Sequence, residues 1–456
     1  MHETALLDSI MTELDQKPTN RIKVAVSDID GILRGKYIHK DKFVSAVNSG
    51  FGFCSVIFGW DCNDACYDKG TVSGWHNGYP DVNACLDLKT YRQIPWDDHT
   101  PFFLADFQDE KGNALLSCPR QLLKKIIRKC ESMGFDPFFG LEFEWFNFSE
   151  TSQSLHQKHF VNPTPITPGM FGYSVLRATT NQPFLSALSH ELAQFKIPLE
   201  GLHTETGPGV LEAALLYSDA LEAADRGILF KTAVKEIAGR FGIMPTFMAR
   251  WSDKLPGCGG HLHQSLWGTE SKKNGFYDEN DPHGMSTMFK HYLAGQMALL
   301  PDILPFYAPN VNSYKRLVEG FWAPTKATWG VDNRTTAFRV IKGNSKSTRL
   351  ETRAPGSDIN PYLAVAAALA SGLYGIEHKL SLDAAPVVGN AYTATDAKPL
   401  ARNLAEATEK MAKSEAALEC FGKEFIEHFA NTRAWEWRQF QQSVTTYERE
   451  RYFEII

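Results

Sequence analysis

Gly140-Leu141-Glu142-Phe143-Glu144-Trp145-Phe146 is apolar except for two glutamates placed at i and i+2. Read as a strand, those positions face the same side, so two carboxylates project together from an otherwise hydrophobic element. Like charges so placed repel, and each is costly to bury alone. A bound divalent cation, or a pair of them, resolves the conflict. The alternative is a solvated strand face. Large aromatics alternate with the acids, which argues against it, because both faces cannot be exposed.

Three further stretches carry the same kind of chemistry. In His203-Thr204-Glu205-Thr206-Gly207-Pro208-Gly209-Val210-Leu211-Glu212, Gly-Pro-Gly forces a turn between short strands, and Glu205 and Glu212 flank it. In Gly257-Cys258-Gly259-Gly260-His261-Leu262-His263-Gln264-Ser265, glycines let the backbone approach a ligand, and His261 and His263 share one strand face. In Arg349-Leu350-Glu351-Thr352-Arg353, three charged residues alternate on one face. Arg316 in NSYKRL, and Arg334 and Arg339 in NRTTAFR, lie between. A planar guanidinium suits carboxylate and phosphate. Acid-rich sites with few histidines suit Mg²⁺ or Mn²⁺ rather than Zn²⁺. No GxxxxGK[ST] motif occurs, so a P-loop enzyme is excluded. Taken together, these residues describe a metal-dependent enzyme handling ATP and a carboxylate.

Composition narrows the class. The 456 residues carry 47 Lys+Arg against 53 Asp+Glu, a net charge of −6, which argues against a dedicated nucleic-acid binder. No apolar run is long enough for a transmembrane helix, so no membrane partner is expected. The stretch MHETALLDSIMTELDQKPTN has acids where a signal peptide has its basic region and apolar core. Eight cysteines without a CxxC pair fit reduced thiols and a cytoplasmic location. Cys54, Cys62, Cys66 and Cys85 cluster too loosely for a structural zinc.

The fold class expected is α+β. Residues 1–20 read as a short amphipathic helix, Arg21–Ser27 as a strand, and Asp30-Gly31 as the turn of a hairpin. Residues 1–115 form a small β-rich domain and residues 116–456 a large α+β domain. Candidate strands are 138–146, 200–205, 210–214, 246–249, 259–266, 336–340 and 348–353. Candidate helices run from Pro119 to about Met133, then over 182–195, 217–241, 284–304, 359–379 and 403–430.

The ordered set GxExE, HxExxPGxxE, GxGxHxHxS, NSYKRL, NR(x)4R and RxExR, followed by NPYLAVAAALA, resembles the glutamine synthetase family from about Val24 to Tyr452. With DIDGILRGK near the start, the likeness is strongest to its γ-glutamyl-amine ligases, such as γ-glutamylputrescine synthetase. The resemblance implies a β-grasp-like N-terminal domain ahead of a catalytic domain. It also implies two metal sites, Glu144, Glu205 and Glu212 for one, Glu142, His261 and Glu351 for the other. ATP would meet His263, Ser265 and Arg349. Arg334 and Arg339 would hold phosphate and the transition state. Arg316, Arg353 and the backbone at Gly257 would bind glutamate. The implied chemistry is attack of glutamate on ATP to give γ-glutamyl phosphate, from which an amine displaces phosphate. The implied assembly is a homo-oligomer, often two stacked hexamers, with Asp61 serving a neighbour's site.

One departure bears on the amine. Ammonia-using members carry a glutamate in a Gly-aromatic-Glu-Ala-Pro stretch, which helps bind and deprotonate ammonium. Here the stretch is Gly320-Phe321-Trp322-Ala323-Pro324. An indole cannot take a proton in that way, and offers an aromatic face to an alkyl or aryl group. The expected activity is therefore ligation of glutamate to a primary monoamine, with Trp322, Phe321 and Trp60 lining the amine pocket. The rivals are a glutamine synthetase using ammonia, a non-catalytic relative, and a different metal-dependent kinase.

Overall fold

The computed structural model describes residues 2–17 and 20–456. The amphipathic helix expected over 1–20 spans His2–Asp15, while Met1, Pro18 and Thr19 lie outside the described residues. The Asp30-Gly31 turn closes the expected hairpin, in which β1 (Arg21–Ser27) pairs antiparallel with β2 (Leu33–His39). β3 (Phe51–Cys54), β4 (Asp81–Leu86), β5 (Arg92–Ile94) and β6 (Thr100–Gln108) complete a six-stranded sheet ordered β2-β1-β6-β4-β3, with β5 on β6. β1 and β6 are parallel. The sheet packs on a helix, Lys40–Ser49, whose Phe43 meets Phe103 of β6 at 4.8 Å between ring centroids. This is the β-grasp-like arrangement expected, although the sequence reading assigned no helix there.

The larger sheet is built on β7 (Phe135–Phe148). Around it stand β8 (Leu199–Thr204), β9 (Val210–Leu215), β10 (Ser218–Asp219), β11 (Met244–Thr246), β12 (Gly260–Gly268), β13 (Trp329–Val331), β14 (Phe338–Ile341) and β15 (Arg349–Thr352). The order is β13-β14-β15-β12-β7-β9-β8, with β10 and β11 on β7. One face of β7 is apolar: Leu141, Phe143 and Trp145 are fully buried. Phe143 stacks on Phe230 of the helix Ala220–Gly239, and Trp145 stacks on Phe247. That burial removes the solvated-strand alternative, because only the face bearing Glu142 and Glu144 stays open.

Two local readings are corrected. The strand expected over 246–249 lies earlier, at Met244–Thr246. The helix expected over 403–430 is three helices, Leu404–Lys413, Glu415–Phe421 and Lys423–Gln442. Ser414 starts the second by accepting a hydrogen bond from the Ala417 amide, and Gly422 takes a left-handed φ of 87°, which ends it.

The two sheets are joined by buried polar contacts. Asn360, which caps the helix Pro361–Glu377, also donates to the Asp28 and Ile29 carbonyls of the first hairpin. Arg433 of the last long helix reaches Asp30 of the same turn. This gives the DIDG stretch a structural purpose: it is the plug that seats the small sheet on the large one.

Candidate active site

Strand register assembles the charged residues into a belt. Glu142 on β7 lies opposite His261 on β12, and His263 lies opposite Glu351 on β15. Glu351 in turn lies opposite Arg339 on β14. On the other side, Glu144 faces Glu212 on β9, which faces His203 on β8. The period of two places the members of each strand on one face.

Two groups within the belt could hold a metal ion. In each, one ligand atom per residue lies within 4.8 Å of the others: Glu142, His263 and Glu351 form one group, and His203, Glu205 and Glu212 the other. These differ from the expected sets by one member each. His261 is buried, and its Nδ1 is 2.8 Å from Glu142 Oε1 and 3.6 Å from Glu351 Oε1, so it faces both carboxylates of the group. Glu144 accepts a 2.7 Å bond from the Gly259 amide. A Cβ at Gly259 would come 2.5 Å from His261 Nε2, so this approach requires glycine. His203 is the member that sequence reasoning missed. Its signal was the spacing of two residues to Glu205.

The charges are tightly balanced. Burial alone would raise the Glu142 carboxyl, but bonds from His261 and His263 outweigh it and hold it well below the usual range. Glu351 is likewise opposed by burial, yet Arg353, His263 and His261 bring it down to about 2. Glu212 goes the other way: burial foremost, with Glu142 and Glu144 adding, pushes it up to about 8 against the His203 bond. His203 is raised to about 9 by its contact with Glu212. An oxygen-rich donor set with surplus negative charge fits a hard divalent cation.

A pocket of about 340 Å³ opens beside this belt, lined by Glu142, His263, Ser265 and Arg349. Phe138, Tyr217 and Trp267 form its aromatic wall, residues the sequence reading did not single out. Arg349 Nε donates to His263 Nδ1 at 3.3 Å, and Trp267 Nε1 to Ser265 Oγ at 3.0 Å.

Two of the arginines meet at Glu351. Arg339 Nη1 is 2.9 Å from its Oε2, and Arg353 pairs with its Oε1. Arg316 is buried, donating to the Ala354 and Arg353 carbonyls at 2.9 and 3.2 Å. Gly257 backs onto it, where a Cβ would meet Arg316 Cγ at 2.8 Å. Arg334 is exposed and lines an open pocket with Trp322, His283, Asp332, Asn333 and Val388. Tyr173 stacks on His203 of the belt, with ring centroids 4.4 Å apart.

The aromatic lining is corrected in part. Trp322 is 58% exposed in the pocket. Phe321 instead lies under the Arg250 guanidinium, and Trp60 lies under that of Arg34. Asp61 accepts from the amides of Asn63 and Ala65 and from Trp435 Nε1, and none of the belt acids is among these contacts.

Comparison with known proteins places this geometry. Residues 116–452 match the family model for the glutamine synthetase catalytic domain. The chain is 53% identical over 452 residues to type-1 glutamine synthetase 2 of Dictyostelium discoideum, covering 98% of this chain and 86% of that one. It is 36% identical over 446 residues to glutamate–isopropylamine ligase of a Pseudomonas species, covering 97% of each. Its fold matches a solved GmaS/ADP complex with a TM-score of 0.85 at 25% identity, covering 97% of this chain and 98% of that one.

Proposed function

The chain belongs to the glutamine synthetase family of ATP-dependent ligases, and from that premise we propose that it joins the γ-carboxylate of glutamate to a primary monoamine other than ammonia. The observation that carries this is Trp322, an exposed indole at the position where the family resemblance implies a glutamate in ammonia-using members. The lining of its pocket supports a monoamine. Asp332 is the carboxylate there, and it is bound to Arg339. A diamine's second ammonium would compete with that guanidinium for its counter-charge. A relative 36% identical is named for isopropylamine, which is the same class of nucleophile.

In this reading Glu144, Glu205 and Glu212, with His203, would hold one divalent cation, and Glu142, His261 and Glu351, with His263, a second. Mg²⁺ or Mn²⁺ bound there would supply charge neutralisation for the phosphates of ATP. His263, Ser265 and Arg349 orient ATP in the aromatic-walled pocket. Arg316, Arg353 and the Gly257 backbone hold glutamate so that its γ-carboxylate attacks the terminal phosphorus, and ADP leaves with the electron pair of the broken P–O bond. Arg334 and Arg339 stabilise the charge that develops on the transferred group. The resulting γ-glutamyl phosphate has a good leaving group, which a free carboxylate lacks. The amine then displaces phosphate and loses a proton.

Asp61 would accept that proton in a neighbouring subunit's site, within a homo-oligomer of the stacked-hexamer kind. The same reading divides the chain into an N-terminal domain of residues 1–115 and a catalytic domain of residues 116–456.

A second reading, glutamine synthesis from ammonia, is favoured by the relative that is 53% identical. A panel of amines and ammonia, scored by phosphate release and product mass, separates the two. Best turnover with a monoamine is expected. Best turnover with ammonia would overturn the proposal.

A further inference from the structure

Gly320 and Trp322 both take left-handed backbone, with φ of 83° and 61°. Glycine does so freely, but a bulky side chain does not. Such a turn keeps its shape only where its surroundings over-determine it. Between the two, Phe321 lies under Arg250, whose guanidinium carbon is 4.5 Å from the ring centroid. Arg250 is itself fastened on three sides. Its Nε donates to the Ser252 carbonyl at 3.0 Å, Nη1 to that of Lys315 at 2.8 Å, and Nη2 to that of Asp253 at 2.8 Å. Its backbone forms a reciprocal pair with the Asn312 side chain, at 2.9 Å from amide to Oδ1 and 2.7 Å from Nδ2 to carbonyl. The next residue, Trp251, packs edge-on against Phe146 and Phe148 at the end of β7.

Arg250 and Trp251 thus connect the end of the central strand to two other segments. One is the turn that carries Trp322. The other is the short helix Ser313–Arg316, which carries Arg316. We propose that Arg250 is a positioning residue that sets Trp322 and Arg316 relative to each other, and so couples the amine pocket to the glutamate subsite. The proposal rests on the reading of Trp322 given above. The geometry calls for arginine in particular. A lysine ammonium could sit over the Phe321 ring, but it cannot serve three carbonyls from one planar fork.

The test uses the full chain with Arg250→Ala, Arg250→Lys and Phe321→Leu. Hydrogen exchange of the amides of residues 318–324 is measured without substrates. KM is measured separately for ATP, glutamate and the best amine. In Arg250→Ala, exchange over 318–324 should quicken by about tenfold or more. KM for amine and glutamate should rise by about tenfold while that for ATP holds. Arg250→Lys should stay closer to alanine than to the parent. Phe321→Leu should raise the amine KM alone, and it keeps the idea testable if Arg250→Ala fails to fold. Unchanged exchange over 318–324 would overturn the clamp, as would an equal rise in all three KM values. Faster exchange with an unchanged amine KM would uphold the clamp and remove Trp322 from the amine pocket.

Discussion

Glu144 on β7 and Glu212 on β9 are register partners, two acids directly opposite on one face of the sheet. Such a pair weakens a sheet unless something of opposite charge joins it. His203 supplies part of that charge, and yet Glu212 is still held at about 8, chiefly by burial. In the metal-free fold this pairing is an electrostatic cost that a bound cation would relieve.

Glu212→Gln should make that cost visible. Glutamine needs no proton on burial, so it should stabilise the metal-free protein at neutral pH by about 1 kcal/mol or more. Activity should fall by roughly a hundredfold or more. Thermal melts with a chelator and with Mn²⁺ check both: the variant should melt higher than the parent in chelator and gain less from Mn²⁺. Glu144→Ala should likewise abolish turnover. Full turnover in either variant would remove it from the metal set.

Trp322→Glu installs the side chain that the family resemblance implies for ammonia-using members. It should lower turnover with the best amine and raise it with ammonia, shifting the ratio by roughly tenfold or more. Trp322→Ala should weaken amine binding without improving ammonia use. An amine panel on the three proteins is the measurement. Unchanged preference in both variants would place the amine elsewhere.

The acid pair at Glu142 and Glu144 is legible in sequence because a strand's period of two is local. So is the hairpin at Asp30-Gly31. Which strands flank β7 is not local: the pairing of Glu142 with His261 joins segments far apart in the chain. That is why His203, inside a stretch already recognised, enters the metal group only through its register with Glu212. Phe321 shows the opposite failure. Its neighbour Trp322 suggests a shared pocket, but left-handed backbone at Trp322 sends the two rings to different places. The break at Gly422 is a single glycine inside a helical pattern that continues on both sides, which is why periodicity alone reads one helix over 403–430.

Arg120 ties the small sheet, through Asp106, to the helix Ala220–Gly239, through Asp225. It forks onto Asp225 at 2.8 Å through two nitrogens and reaches Asp106 and Asp87 at 2.9 Å. Tyr362 adds a 2.7 Å bond to Asp225. Arg120→Met would leave buried carboxylates short of a cation and should cost about 3–5 kcal/mol. Lys124, which pairs with Asp87 and Asp106 from a more exposed position, should cost under about 1 kcal/mol as alanine. Denaturant midpoints of the two variants check the ranking. Equal small losses would mean the cluster contributes no more than a surface pair.

His428 should give the fold a defined pH limit. The ring is buried in the helix Lys423–Gln442, with Nδ1 3.5 Å from Thr71 Oγ1 and Nε2 unpartnered among the described residues. Burial first, and then the charge of Arg433, lowers it from 6.5 to about 4. Between those values the unfolded chain binds a proton that the folded chain does not. Stability should therefore be full above pH 6.5 and decline as pH falls towards 4, by about 3 kcal/mol over that window at most. His428→Gln cannot take up that proton, so its stability should fall less over the same range. Thermal melts of both proteins from neutral pH down to 4 are the check. Parallel profiles would mean the proton is accommodated at the buried site, and that the contact between this helix and the Thr71 loop does not set the acid limit.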